Sequence, residues 1–465
     1  MKWIQPSITF FASLWRGLFI VFILNTCMSC NDFLDANLSK SLITTDNIFS
    51  NEATATAAVT GMYNSIMNSS PMSGTSSGMN SLTGLSSGEL FNYPHTTDLQ
   101  PFTEHNVAAT NSSIEALWNF AYNIIYQANV IIAGLQDAHA LSRNMSQQLE
   151  GEARFMRAFT YFYMINLFGD VPLVTEIDYH KNQLLPRTPV DKVYAFVEND
   201  LLIAQALLTH QYVTSNRTRP NKATATALLA RMYLYRKDYQ QAEILASAVI
   251  NDTTYVLSED LEKTFLANSA ETIWQLMPVD PYYNTIEGYY FILTGTPSFN
   301  TLTPGLPLRF EPGDARLTHW VRHYTNSSGT FYFPYKYKKG GKLPTEEFSE
   351  YSVVFRLAEM YLIRAEARAN LDNVSGARAD LNIVRNRADL KDTSASDQHS
   401  LLQAVEDERL SELFTEYGHH WLDLKRTGRA LSVLGGDITA DDLLYPIPFA
   451  EFQKNPNLGL QNDGY

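Results

Sequence analysis

The sequence predicts a mainly α protein: a tetratricopeptide-like helix-pair scaffold with long irregular loops and a few short strands. Three observations carry that expectation. Apolar residues recur at three- and four-residue steps over 114–135, 146–168, 190–208, 223–236, 239–250, 353–371, 375–388 and 401–416, the period of a helix with one buried face. An internal repeat sets Ala230, Tyr239 and Ala242 against Ala365, Val374 and Ala377 at one constant offset, with Lys237-Asp238 and Asp372-Asn373 in the turn of each copy. Small residues so placed let two antiparallel helices approach closely, the spacing logic of stacked helix pairs. Between 255 and 351 the character changes to Pro, Gly, Tyr and Thr, with strand-like pieces such as Thr272-Ile273-Trp274-Gln275-Leu276, so this section is read as loop and short strand.

The predicted helices are strong in Ala, Leu, Arg and Glu, which suit helix interiors. No charge block, linker or low-complexity tract divides the chain, so residues 30–465 are expected to form one unit, with parts 30–250 and 251–465 and the loop-rich insertion 255–351 in the second. Residues 1–29 read as a secretory leader: Lys2 and Arg16 without an acid, an apolar run from Leu18 to Leu24 too short to span a bilayer, then small residues. Ser29-Cys30 fits a lipoprotein cleavage site, with Cys30 the acylated residue, and Cys27 is the rival. Acyl chains contribute about 0.8 kcal/mol per buried methylene, so more than one makes a stable anchor. With Cys27 removed and Cys30 acylated no disulfide is possible, and stability must come from the core. The formal charge of −14, deepened by removal of Lys2 and Arg16, disfavours nucleic acid and anionic lipid as partners.

Long ordered blocks resemble the SusD/RagB family of Bacteroidetes outer-membrane lipoproteins. They include Gly151-Glu152-Ala153-Arg154-Phe155-Met156-Arg157-Ala158 continuing to Leu167-Phe168-Gly169-Asp170-Val171-Pro172, and Arg356-Leu357-Ala358-Glu359-Met360-Tyr361-Leu362. Similar too are Leu381-Asn382-Ile383-Val384-Arg385, Glu416-Tyr417-Gly418 with Trp421-Leu422-Asp423, and the tail Gln461-Asn462-Asp463-Gly464-Tyr465. The resemblance implies a surface-exposed, non-catalytic binding protein on the outer membrane, held by its lipid anchor. It implies delivery of a glycan, or in some members a peptide, to a SusC-like TonB-dependent transporter, with no cofactor. The helix pairs would face the transporter and the irregular loops would carry the ligand. His420 stands where the family usually has Arg, which leaves an ion pair at Asp423 expected to be weaker or pH-dependent.

Ligand residues have to be argued physically. A sugar presents an apolar face and a hydroxyl edge, so its site needs exposed aromatic planes beside amides or carboxylates. Trp118, Trp274 and Trp421 fall inside helix or strand patterns and read as core. Trp320 follows the loop Glu311-Pro312-Gly313-Asp314-Ala315-Arg316 and stands among His319, Arg322, His323 and Tyr324, which makes it the first candidate platform. Further candidates are Tyr282, Tyr283, Tyr289 and Tyr290, and Phe91, Tyr93 and His95, with Asn92, Asn284 and Asp98 for hydroxyl contacts. Such loops suit glycans, while Tyr also serves peptide recognition, so a peptide-binding alternative stays open, as does an adhesive lipoprotein without a defined pocket.

Enzyme chemistry finds little support. Gly74-Thr75-Ser76-Ser77-Gly78 and Gly84-Leu85-Ser86-Ser87-Gly88 match G-x-S-x-G, but neither follows a strand pattern, and both read as flexible Ser/Gly loops. Glu408, Glu412 and Glu416 line one helix face and read as a solvated or ion-paired stripe, whereas a glycosidase opposes two carboxyls across a cleft. No metal-ligand spacing is present: His419 and His420 are adjacent and point to different faces.

Overall fold

The scaffold is a succession of antiparallel helices, seen in a computed structural model that describes residues 48–68, 71–93, 95–436 and 438–465. The leader, Cys27 and Cys30 lie outside the described residues. We label the longer elements α1 (Glu52–Met67), α2 (Met79–Ser86), β1 (Leu90–Phe91), α3 (Ser112–Gln136), α4 (Arg143–Phe168), α5 (Val190–Leu207), α6 (Lys222–Tyr235) and α7 (Tyr239–Ile250). They continue as β2 (Thr272–Leu276), α8 (Ile286–Phe291), β3 (Thr301–Leu302), α9 (Ala315–Trp320), β4 (Val321–Asn326), β5 (Gly329–Pro334) and β6 (Ser352–Arg356). The series closes with α10 (Leu357–Asn370), α11 (Val374–Arg387), α12 (Gln398–Leu413) and α13 (His419–Arg426). Among the described residues no helix is long and apolar enough to cross a membrane.

Helix starts are set by side chains that satisfy the first free amides. Asn111 accepts from Ser113 and Ile114 N at α3, Ser142 from Met145 N at α4, and Asn221 forms a reciprocal capping box with Thr224 at α6. Helix α4 is buried along most of its length because its second half is a run of aromatic and aliphatic residues. Its charged side chains are paired inside: Arg157 donates to Asp200 at 2.7 Å, and Glu152 accepts from Tyr63 at 2.7 Å and from Arg219. Gly151 makes the approach of α5 possible, since a Cβ there would meet Leu208 Cδ2 at 2.9 Å.

The repeat read from the sequence is present in three dimensions. Lys237 and Asp372 both take left-handed backbone, at φ 60° and 59°. In each copy the next amide returns five residues, Asp238 N to Tyr233 O and Asn373 N to Arg368 O. Asp238 then caps α7 and Asn373 caps α11. Ala230, Ala242, Ala365 and Ala377 are all fully buried. Leu362, Ala365, Ala369, Leu381, Val384, Leu401 and Val405 form the shared core of α10, α11 and α12.

Three sequence readings change. The helix expected from 353 begins only at Leu357, because Ser352–Arg356 is a strand paired antiparallel with β2 and buried at all five positions. Two-sided burial removes the alternation that would distinguish it from helix. The segment read as flexible Ser/Gly loop contains α2, whose eight residues are all buried. The stretch 255–351 is loop and short strand as expected, but it also contains α8 and α9. Its strands β3, β5 and β4 join β1 from the earlier part of the chain in a four-stranded sheet of order β1, β3, β5, β4, with Phe91 opposite Thr301 and Leu302 opposite Tyr332.

Candidate functional site

Trp320 is not a surface platform. It is completely buried, its Nε1–H donates to Leu261 O at 3.1 Å, and Arg356, Arg387 and Lys336 lie over its rings. Of the polar neighbours that drew attention to it in sequence, His319 precedes it in α9 and Arg322, His323 and Tyr324 belong to β4, while the ring faces a buried ionic core. In that core Arg316 pairs with Asp314, Glu408 and Glu412, and Arg356 with Glu271, Glu412 and Glu416. The Glu408–Glu412–Glu416 stripe is therefore ion-paired and internal. Burial by itself would raise Glu412, but Arg387, Arg356 and Arg316 overcome it and hold the carboxyl well below its ordinary value.

The tyrosine loop does gather at the surface. Tyr282 is 61% and Tyr289 38% exposed, and Tyr283 and Tyr290 are half-buried beside them. Tyr283 stacks on Tyr289 with centroids 3.9 Å apart, and Tyr290 meets Phe299 edge-on at 4.8 Å. Phe299 escaped the sequence reading; its only signal was an aromatic between Pro297-Ser298 and Asn300 in a loop. Two residues on, Thr301 pairs with Phe91, so the same segment reaches the second group of rings. There Tyr93 meets Phe331 at 4.8 Å, and exposed His95 meets Phe91 at 5.5 Å.

The three polar candidates are bonded to other parts of the protein. Asn284 is buried; its amide donates to Glu350 Oε2 at 2.7 Å and its oxygen accepts from Ser349 N at 3.0 Å. Glu350 also accepts from the amides of Lys338 and Lys339, tying the tyrosine loop to the strand-to-loop segment alongside. Gly288 completes the junction, because a side chain there would strike Lys339 O. Asn92 is buried and bonded to Thr96 and Gln100. Asp98 spends both carboxylate oxygens at the start of α3, on Ser112 N and the Ser113 hydroxyl.

The serine motifs lack an elbow. Ser86 ends α2 and its hydroxyl meets that of Tyr445 at 2.9 Å, while Ser76 lies in a turn whose carbonyl accepts from Asn300. Among the described residues no group of three His, Cys, Asp or Glu is placed to hold a metal ion. Asp423 accepts from Arg409 at 2.6 Å and Arg426 at 2.7 Å, so the ion pair does not depend on position 420. Burial pushes His420 down to about 4, which leaves it neutral at physiological pH.

The family model described as starch-binding and associating with the outer membrane matches residues 32–234, and the SusD family model matches 316–441. The chain belongs to the SusD/RagB family. A SusD-like protein of Formosa agariphila is 24% identical, covering 96% of this chain and 98% of its own. Among solved structures, a SusD-superfamily protein of Bacteroides vulgatus superposes with a TM-score of 0.79 at 21% identity, covering 90% of this chain and 100% of that one. A laminarin-binding SusD-like protein superposes at 0.74 with 25% identity, covering 89% and 100%. The SusD-superfamily neighbours share the helical architecture described above.

Proposed function

We propose that this SusD/RagB chain is a non-catalytic cell-surface lipoprotein that captures oligosaccharides and passes them to a SusC-like TonB-dependent transporter. The observation that carries the reading is the ring cluster of Tyr282, Tyr283, Tyr289, Tyr290 and Phe299: Tyr282 and Tyr289 are exposed, the others are half-buried beside them, and the segment is anchored from beneath. Rings so held stack on sugar C–H faces without first being ordered, which keeps the entropic penalty of binding small. The laminarin-binding relative supports a glycan over a peptide. Tyr289→Ala removes the partner of both Tyr283 and Tyr290. It is expected to weaken binding to a β-glucan or other cognate oligosaccharide about tenfold in isothermal calorimetry, or ~1.4 kcal/mol. Unchanged affinity for every glycan the wild type binds would sink the assignment.

The anchor is proposed at Cys30. Cys30→Ser is expected to move the protein from the membrane to the soluble fraction, since no other part of the reading attaches it to lipid. Persistence in the membrane fraction with Cys27 intact would transfer the anchor to Cys27.

A further inference from the structure

Beside α8, the short helix that carries Tyr289 and Tyr290, lies a small space of about 20 Å³, lined among others by Asn80, Glu287, Lys336, Thr415 and Tyr417. Two of these residues carry a buried polar atom with no protein partner among the described residues, Asn80 Oδ1 and the Tyr417 hydroxyl. Both residues are 2% exposed, so bulk solvent does not serve them. A buried polar group left unbonded costs about 1–3 kcal/mol, so two around one space call for an occupant.

The lining decides what that occupant is. It has to donate to Asn80 Oδ1 and accept from the Tyr417 hydroxyl, which an apolar guest does neither of. A metal cation would meet acceptors, but the Lys336 ammonium borders the same space, fixed there by Glu416 and by the carbonyls of Glu412 and Phe414. Its charge repels a cation. The volume suits one water, which needs roughly 10–15 Å³.

We propose that this space is the binding site of a single ordered water that bridges Asn80 Oδ1 and the Tyr417 hydroxyl. Its third neighbour is the Glu287 carboxyl, whose Oε2 accepts from the Ser352 hydroxyl at 2.6 Å. Glu287 belongs to α8, the short helix that also carries Tyr289 and Tyr290, so the water fastens that helix to α2 and to the turn after α12. The proposal holds whatever ligand the rings bind.

Two measurements on the full mature protein test it. An atomic-resolution crystal structure is expected to show one density peak within hydrogen-bond reach of both atoms. Water magnetic relaxation dispersion is expected to count one fewer long-lived water in the Asn80→Leu, Tyr417→Phe double variant than in the wild type. No peak, a direct bond between the two side chains, or a peak that gains anomalous signal after a rubidium soak would overturn the assignment, as would an unchanged water count. If the double variant does not fold, Tyr417→Phe alone supplies the comparison, and the wild-type density decides.

Discussion

Arg356→Met is expected to remove ~3–5 kcal/mol of stability, the loss that follows when one partner of a buried ion pair is deleted and the others stay. All five N–H donors of this guanidinium are used. Nε and Nη2 grip Glu416 at 2.8 and 2.9 Å, Nη1 bonds Glu271 at 3.0 Å and also Glu412, and Nη2 reaches Glu412 O at 2.7 Å. Methionine fills much of the volume but leaves three carboxylates sharing only Arg387, Arg316 and Lys336. Since a whole domain is stabilised by about 5–15 kcal/mol, the variant stands near its unfolding threshold. Guanidinium titration checks this, and a change under about 1 kcal/mol would show that the network contributes little net stability, as some buried pairs do. Arg356→Lys should fall between, because one ammonium cannot serve two carboxylates bidentately.

Glu287→Gln is expected to leave stability unchanged at pH 4 and raise it by about 3 kcal/mol at pH 8. Burial pushes the Glu287 carboxyl up to about 7, against the modest pull of the Ser352 hydrogen bond. A carboxyl whose folded value is raised binds more protons folded than unfolded, so wild-type stability falls as pH rises from about 4.5 to about 7. The amide has no such loss and keeps an acceptor for Ser352. Neighbouring groups do not reverse the sign: Lys336 is engaged with Glu416, and Tyr337 and Tyr417 are both raised, first by burial. Thermal or denaturant unfolding of both proteins at the two pH values checks it, and equal stability at pH 8 would mean that Glu287 ionises without penalty. Glu89, also raised to about 7 by burial, should behave alike.

Much of the helical scaffold was legible because its signals are local. The apolar period, the asparagine and serine caps, and the paired turns at Lys237 and Asp372 each act within a few residues. Burial on two sides was not legible. It hid the strand Ser352–Arg356, whose neighbour in the sheet is some eighty residues away in sequence. It hid α2 as well, where Ser, Thr, Asn and Gly imitate a loop yet pack inward and bond to local carbonyls such as Thr75 O and Met79 O. The same limit explains Trp320: nearby charge in sequence suggested solvent, while the charges that touch its ring come from Lys336, Arg356 and Arg387. The exposed tyrosines stood out as aromatic side chains in a Pro- and Gly-rich stretch with no long helical period, although Tyr289 and Tyr290 sit on the short helix α8. Its supports, Asn284 and Glu350, were beyond reach, since a buried amide and an exposed one look alike in a loop sequence.

Glu350 holds the tyrosine loop through Asn284 and through two backbone amides, and none of the ring side chains takes part. Under the proposed function, recognition and support are thereby assigned to different atoms. Residues 282, 283, 289 and 290 are free to be exchanged for other planes, or for hydrogen-bonding groups, without altering the anchor that positions them. Under the proposed function, a change of ligand asks for new side chains at a handful of positions and leaves the anchor beneath them in place.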